Sequence, residues 1–281
     1  AEAVEGRREQ LAAAVAGAEA EGGPAGEAGW ASGWASLLGG GAPAPRSMEQ
    51  RLQERLLLQA SATFEDRILR GGAGSADMQR STSPPAASQR GPLAPALDSS
   101  SVRVSEALAV VAFCDLFDVD AVLESGVNLA FSTEVWARWL ASTPPVGRHH
   151  RVVAVDRVIR PEARERLAPF LEGPSPSVEL IEEDARTALP RALGELATVG
   201  ARSVAVVIDG PKHEAALALA RRLLSTHDGL VRFVAIHDMR SFKRGPRAAV
   251  WRRHRLRPFL FTDEPWFVRR FGWLDRRWRP R

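Results

Sequence analysis

The sequence predicts an α/β fold, a doubly wound and mostly parallel sheet with helices on both faces, and three observations predict it. Short continuous runs rich in Val and Ile recur through the middle of the chain, as strands buried on both faces require. Segments of helical spacing separate them, the alternation that builds a doubly wound sheet rather than a sandwich. The runs end in or beside acidic residues, and in such a sheet the strand ends gather along one edge, where open sheets bind ligands.

The first run, Val119 to Leu123, leads into Glu124-Ser125-Gly126-Val127-Asn128-Leu129-Ala130-Phe131-Ser132-Thr133. A glycine turn lets backbone N–H groups approach a ligand where a Cβ would block them, and the hydroxyl pair opens a helix from Thr133 to Leu140. Arg151 to Val155 ends in Asp156, Ser177 to Ile181 is followed by Glu183-Asp184, Ser203 to Ile208 ends in Asp209, and Leu230 to Ile236 ends in His237-Asp238. Pro161 to Leu171 starts with proline in its first turn and turns Ala163, Leu167 and Phe170 inward. Pro211 to Leu224 carries Ala215, Leu219 and Leu223 at helical spacing, with Arg221 and Arg222 near the end where they suit the helix dipole. Val102 to Phe117 has an apolar helical pattern and is expected to pack on the sheet ahead of its first strand.

The block from about Val119 to Met239, roughly 120 of the 281 residues, resembles class I S-adenosylmethionine-dependent methyltransferases. It is most similar to the small O-methyltransferases of the catechol and caffeoyl-coenzyme A type, which implies a Rossmann-like fold. Their first cofactor turn carries an acid, a glycine, a second glycine and a serine; Glu124, Gly126 and Ser132 match, with Ala130 at the second glycine. By the same resemblance Asp156 holds the ribose hydroxyls, Asp184-Ala185 lies by the adenine, and Asp209 binds a metal with Lys212 three residues on. Asp238 corresponds to the second metal-binding acid, with Met239 in place of the asparagine that usually follows it. The implied cofactors are S-adenosylmethionine and Mg²⁺ or a similar divalent cation. Met239 offers such a hard ion only a soft thioether.

Methyl transfer is an in-line displacement, so the protein has to align two reactants and remove a proton from the acceptor oxygen. Lys212 is placed to act as that base, or to steady a phenolate, if its surroundings lower its pKa. It is one of two lysines, with Lys243, beside 36 arginines. His237 ends a strand beside the expected site, where it either touches substrate or caps the strand. His213 is expected to face solvent, and His149-His150 has no partner at ligand spacing. Cys114, the single cysteine, excludes an internal disulfide and a zinc cluster and is expected in the core.

The expected organisation is a low-complexity extension over 1–46, a docking helix over 47–70 capped by Ser47, a Gly/Ser/Pro linker over 71–100, the α/β core over 101–240 and a basic aromatic segment over 241–281. The docking helix shows Leu52, Leu56, Leu57, Phe64, Ile68 and Leu69 on one broad face and must dock on the core or on a partner. From Arg240 to Arg281 there are 14 Arg and Lys against 3 acids, a balance of +11, whereas the other 239 residues balance to −7. Arginines interleaved with Trp251, Trp266, Trp273 and Trp278 suit RNA or an anionic membrane surface. Alternatively, Arg257 to Phe261 and Trp266 to Phe271 are the last strands of the sheet. No run approaches the ~18 apolar residues of a membrane span. A chain that opens at Ala1, with an arginine-heavy, tyrosine-free composition, is expected in an organelle, plastid or mitochondrion. Two functions remain open: O-methyl transfer to a small hydroxylated acceptor, and a non-catalytic accessory subunit of a larger organellar assembly such as a ribosome or a photosynthetic or respiratory complex.

Overall fold

The apolar runs form five strands, β1 (Ala121–Ser125), β2 (Arg151–Asp156), β3 (Ser177–Glu182), β4 (Val204–Ile208) and β5 (Val231–Ile236). All pair in parallel in the order β3-β2-β1-β4-β5, consistent with a Rossmann-like doubly wound fold. β1 and β4 are buried at every position, which is why their sequences are continuously apolar up to the strand ends. The computed structural model describes residues 48–70, 102–143, 150–171, 176–226, 229–239 and 260–278. The extension over 1–46, the Ser47 cap, the linker over 71–100 and His149 lie outside these residues, as do Arg240 to Phe259.

The helices are α1 (Met48–Thr63), α2 (Val104–Leu116), α3 (Phe131–Ser142), α4 (Pro161–Leu171), α5 (Ala185–Thr198), α6 (His213–Thr226) and α7 (Pro265–Arg277). The chain divides into two compact units, Ala1–Leu56 and Leu57–Arg281; the sheet belongs to the second. On one face, Ala121 and Leu123 of β1, Val153 and Val155 of β2 and Val204, Val206 and Ile208 of β4 bury against the apolar stripes of α5 and α6. Alternation along a strand sends Val122 and Glu124 to the opposite face, toward α3.

After Thr63 the first helix continues as a π-helical turn, Phe64–Leu69, that buries Phe64, Ile68 and Leu69 and packs on α3. The Leu57-to-Leu69 half of the docking helix is therefore part of the core unit. Trp266 to Phe271 is not a strand but part of α7. Trp266, Phe267, Phe271 and Leu274 are buried along one helical stripe while Arg269, Arg270, Arg276 and Arg277 are exposed, a period that a strand cannot accommodate. Leu260 and Phe261 are not in a strand either. α7 packs on α2, where Asp275 accepts from both the backbone N–H and the hydroxyl of Ser105 at 2.8 Å and so caps the first turn of α2. Among the described residues no helix is long and apolar enough to cross a membrane.

Candidate functional site

The chain runs β1, β2, β3 outward in one direction and then returns to place β4 on the other side of β1, so the topological switch lies between β1 and β4. At that point Gly126 has φ +89°, and a Cβ on it would lie 3.0 Å from the Asp209 Cβ and 3.1 Å from the Asp209 carbonyl carbon. Glycine is needed here because two loops of the protein meet. The Asp209 N–H donates to the Ser125 carbonyl at 2.9 Å, the Ser125 hydroxyl donates to the Gly210 carbonyl, and the Gly126 N–H donates to the Val155 carbonyl. Further along the turn Ala130 has φ +58°, in the left-handed region, where its methyl costs about 1–2 kcal/mol relative to glycine. Alanine thus occupies a conformation that glycine adopts more readily.

Glu124 and Ser132 turn inward rather than toward a ligand. Glu124 has no exposed surface; Thr133 Oγ1 donates to one carboxylate oxygen at 2.6 Å and Trp136 Nε1 to the other at 2.9 Å. Burial pushes its pKa from 4.5 up to about 7, against hydrogen bonds from Ser132, Thr133 and Trp136, with the Asp209 charge adding to the rise. Ser132 is 7% exposed. Both residues tie β1 to α3.

The acids after β2 and β3 have partners in the protein's own chain. Asp156 Oδ2 accepts from the backbone N–H of Val127 at 2.7 Å and of Asn128 at 3.2 Å, fastening the glycine turn to β2. Asp184 caps α5 by accepting from the Arg186 N–H at 2.9 Å, and it is also gripped by the Arg157 and Arg186 side chains. Hydrogen bonds from Arg186 hold its carboxyl well below the ordinary carboxylate range, with Arg157 assisting. Neither arginine stands out in the sequence as a site residue.

After β4 and β5 the charged residues converge. Lys212 Nζ donates to Asp209 Oδ1 and, at 2.8 Å, to Asp238 Oδ2. His237 Nδ1 lies 2.7 Å from Asp209 Oδ1, and its Nε2 lies 3.3 Å from Glu106 Oε2 on α2. Burial favours a neutral His237 ring, but the hydrogen bonds and charges of Asp209 and Glu106 prevail and raise its pKa to about 10. Burial likewise favours neutral Lys212, and Asp209 and Asp238 again prevail, so its pKa rises rather than falls. Lys212 is an ammonium near neutral pH and not a general base. Glu106 was not foreseeable from spacing, since its partner His237 lies across the fold on another element.

Asp209, His237 and Asp238 present three ligand-type atoms within 4.8 Å of one another. As placed, these atoms do not fit a resident hard divalent cation: Lys212 Nζ takes both carboxylates, His237 Nδ1 is bonded to Asp209, and Met239 is buried at 7% exposure. His213, at φ +59°, is exposed, His150 is buried, and Cys114 is buried with its thiol pKa raised by burial.

Beside these groups is an open cleft of about 370 Å³, within the usual range for small-molecule sites. Gly126, Asp156, Asp184, Ala185 and Gly210 to Lys212 are among the residues that line it. No protein-family model matches the chain and no curated protein matches its sequence.

Proposed function

We propose that this protein binds an S-adenosylmethionine-type cofactor in the cleft and transfers a methyl group to a small acceptor carrying an acidic hydroxyl. One observation carries this reading. Gly126, Asp156, Asp184 and Lys212, assigned by resemblance to four different parts of a methyl-transfer site, all line the same cleft at the switch point. Asp156 uses one carboxylate oxygen on the glycine turn, and its other oxygen, Oδ1, has no bond among the described residues and would accept from ribose hydroxyls. Asp184 and Ala185 would border the adenine. The cofactor supplies an electrophilic methyl group.

What the chain adds is alignment and charge. Lys212, as an ammonium, would steady negative charge on the acceptor oxygen. With Lys212 and His237 both cationic near neutral pH, neither takes the acceptor's proton. That suits an acceptor that ionises readily, such as a phenol or a carboxylic acid, rather than an alcohol.

The second reading, an accessory subunit of a larger organellar assembly that retains the fold without the activity, is favoured by one specific contact. The N–H groups of Val127 and Asn128, which a ligand-binding turn would offer to its ligand, already donate to Asp156. Calorimetric titration with S-adenosylmethionine and S-adenosylhomocysteine separates the two. The methyl-transfer reading expects micromolar binding that weakens at least about tenfold in Asp156→Ala. Absence of heat with both ligands, in a protein shown to be folded, overturns it in favour of the accessory role.

A further inference from the structure

We infer that Lys212 is a cation built into the site, occupying the position between Asp209 and Asp238 that a divalent metal ion would take, so that the protein works without one. The inference deepens and rests on the reading above, since it takes Lys212, which lines the cleft and bonds Asp209 and Asp238, as its acceptor end. Its support is geometric. Lys212 Nζ donates to Asp209 and Asp238 together, bridging the ends of β4 and β5 as a shared metal would.

Three features hold the arrangement. Asp209 is fixed from behind, because its backbone N–H donates to Ser125 and its Cβ lies 3.0 Å from where a Cβ on residue 126 would be. Lys212 follows Asp209 by three residues, so its ammonium is tethered beside the carboxylates and competes with free ions at high effective concentration. Met239, buried beneath, gives no oxygen to a hard ion. The residue type also fits. In a chain with 36 arginines, this position has a lysine, whose compact head can sit between two carboxylates where a planar guanidinium would demand a broader opening.

The substitution has a consequence for the substrate. A divalent ion chelates two neighbouring oxygens, whereas an ammonium that has committed two of its three N–H groups has one left to give. The site therefore selects an acceptor presenting a single oxygen over a vicinal diol.

The test uses Mn²⁺ and the full-length protein, with the free-ion paramagnetic resonance signal as readout. Wild type is expected to leave millimolar Mn²⁺ free. Lys212→Ala exposes Asp209, His237 and Asp238 and is expected to bind Mn²⁺ at least about tenfold tighter than wild type, a gain that Asp238→Asn added to it removes. Lys212→Gln, of similar length, should show the same gain if the alanine variant does not fold. Mn²⁺ binding by wild type that is lost in Asp238→Asn overturns the inference, and so does a folded Lys212 variant with no gain. Since no cofactor enters these measurements, a positive result stands even if S-adenosylmethionine does not bind, and only the methyl-transfer reading then falls.

Discussion

Two sides of the same sheet edge treat their carboxyl groups in opposite ways. On the inner side, under α3, Glu124 is sealed from water, and burial carries its pKa up to about 7. On the outer rim, Asp184 is exposed enough to escape much of that penalty, and its two arginines hold it ionised far into acid. Glu124 lies within β1 and Asp184 two residues beyond β3, so an acid near a strand's carboxyl end can meet either environment. What decides is what packs over the carboxyl and which groups bond it. The inner acid is held by side chains of α3, and the outer one by the first turn of α5 and two arginines.

The sharpest way to break the inner side is Gly126→Ala. The new methyl would meet Asp209 at 3.0 Å, against backbone and Cβ atoms that cannot swing away, in a conformation unfavourable to any side chain. We expect a loss of about 3 kcal/mol or more in chemical denaturation, with disruption of the Asp209 cluster. A stability unchanged within 1 kcal/mol would show that the two loops are not packed as described.

The next effect is a pH dependence. Since Glu124 has a folded pKa of about 7 against an ordinary 4.5, folding favours its protonated form. That contribution is fully present below pH 4.5 and is lost as pH rises through 7, about 3 kcal/mol in all. Glu124→Gln keeps a neutral amide in place and should flatten the stability profile across this window. Asp184 has the opposite sign: its contribution is present above its ordinary pKa of 3.8 and is lost as pH falls. A profile between pH 4.5 and 7 that is identical in wild type and Glu124→Gln would contradict the sealed-acid assignment.

The smallest effect should be a gain. Ala130→Gly relieves a left-handed alanine at the start of α3, and we expect about 1 kcal/mol of added stability after the greater chain entropy of glycine is subtracted. Thermal unfolding measures it directly. A destabilised variant would mean that the alanine methyl, fully buried, contributes more through packing than its backbone costs.

The sheet was legible because a parallel strand buried on both faces must be apolar throughout, and all five were placed to within two residues of their observed limits. That same continuity hid the side-chain directions. With no alternation in Val119 to Leu123, nothing in the sequence says that Leu123 faces α5 while Glu124 faces α3, and Glu124 and Ser132 were read as cofactor contacts. The sequence points to Gly126 as a glycine that lets a ligand approach the turn. Its reason lies in Asp209, more than eighty residues further on, which local spacing cannot reveal. Strands over Arg257 to Phe261 and Trp266 to Phe271 are one of two expectations for the tail because aromatic and arginine residues suit either element, and only the burial of Trp266, Phe267, Phe271 and Leu274 on one stripe decides for a helix over the second.

The clasp between Asp275 and Ser105 ties the order of synthesis to the completion of the fold. The two partners are 170 residues apart, so a growing chain makes the sheet and its covering helices well before the carboxylate that secures α2 emerges. Arg277, made at nearly the same moment, reaches Glu65 at 2.8 Å, fastening the earliest described part of the same unit. A nascent protein lacking its last turn of helix would leave α2 unlatched, and with it Glu106, the support behind His237.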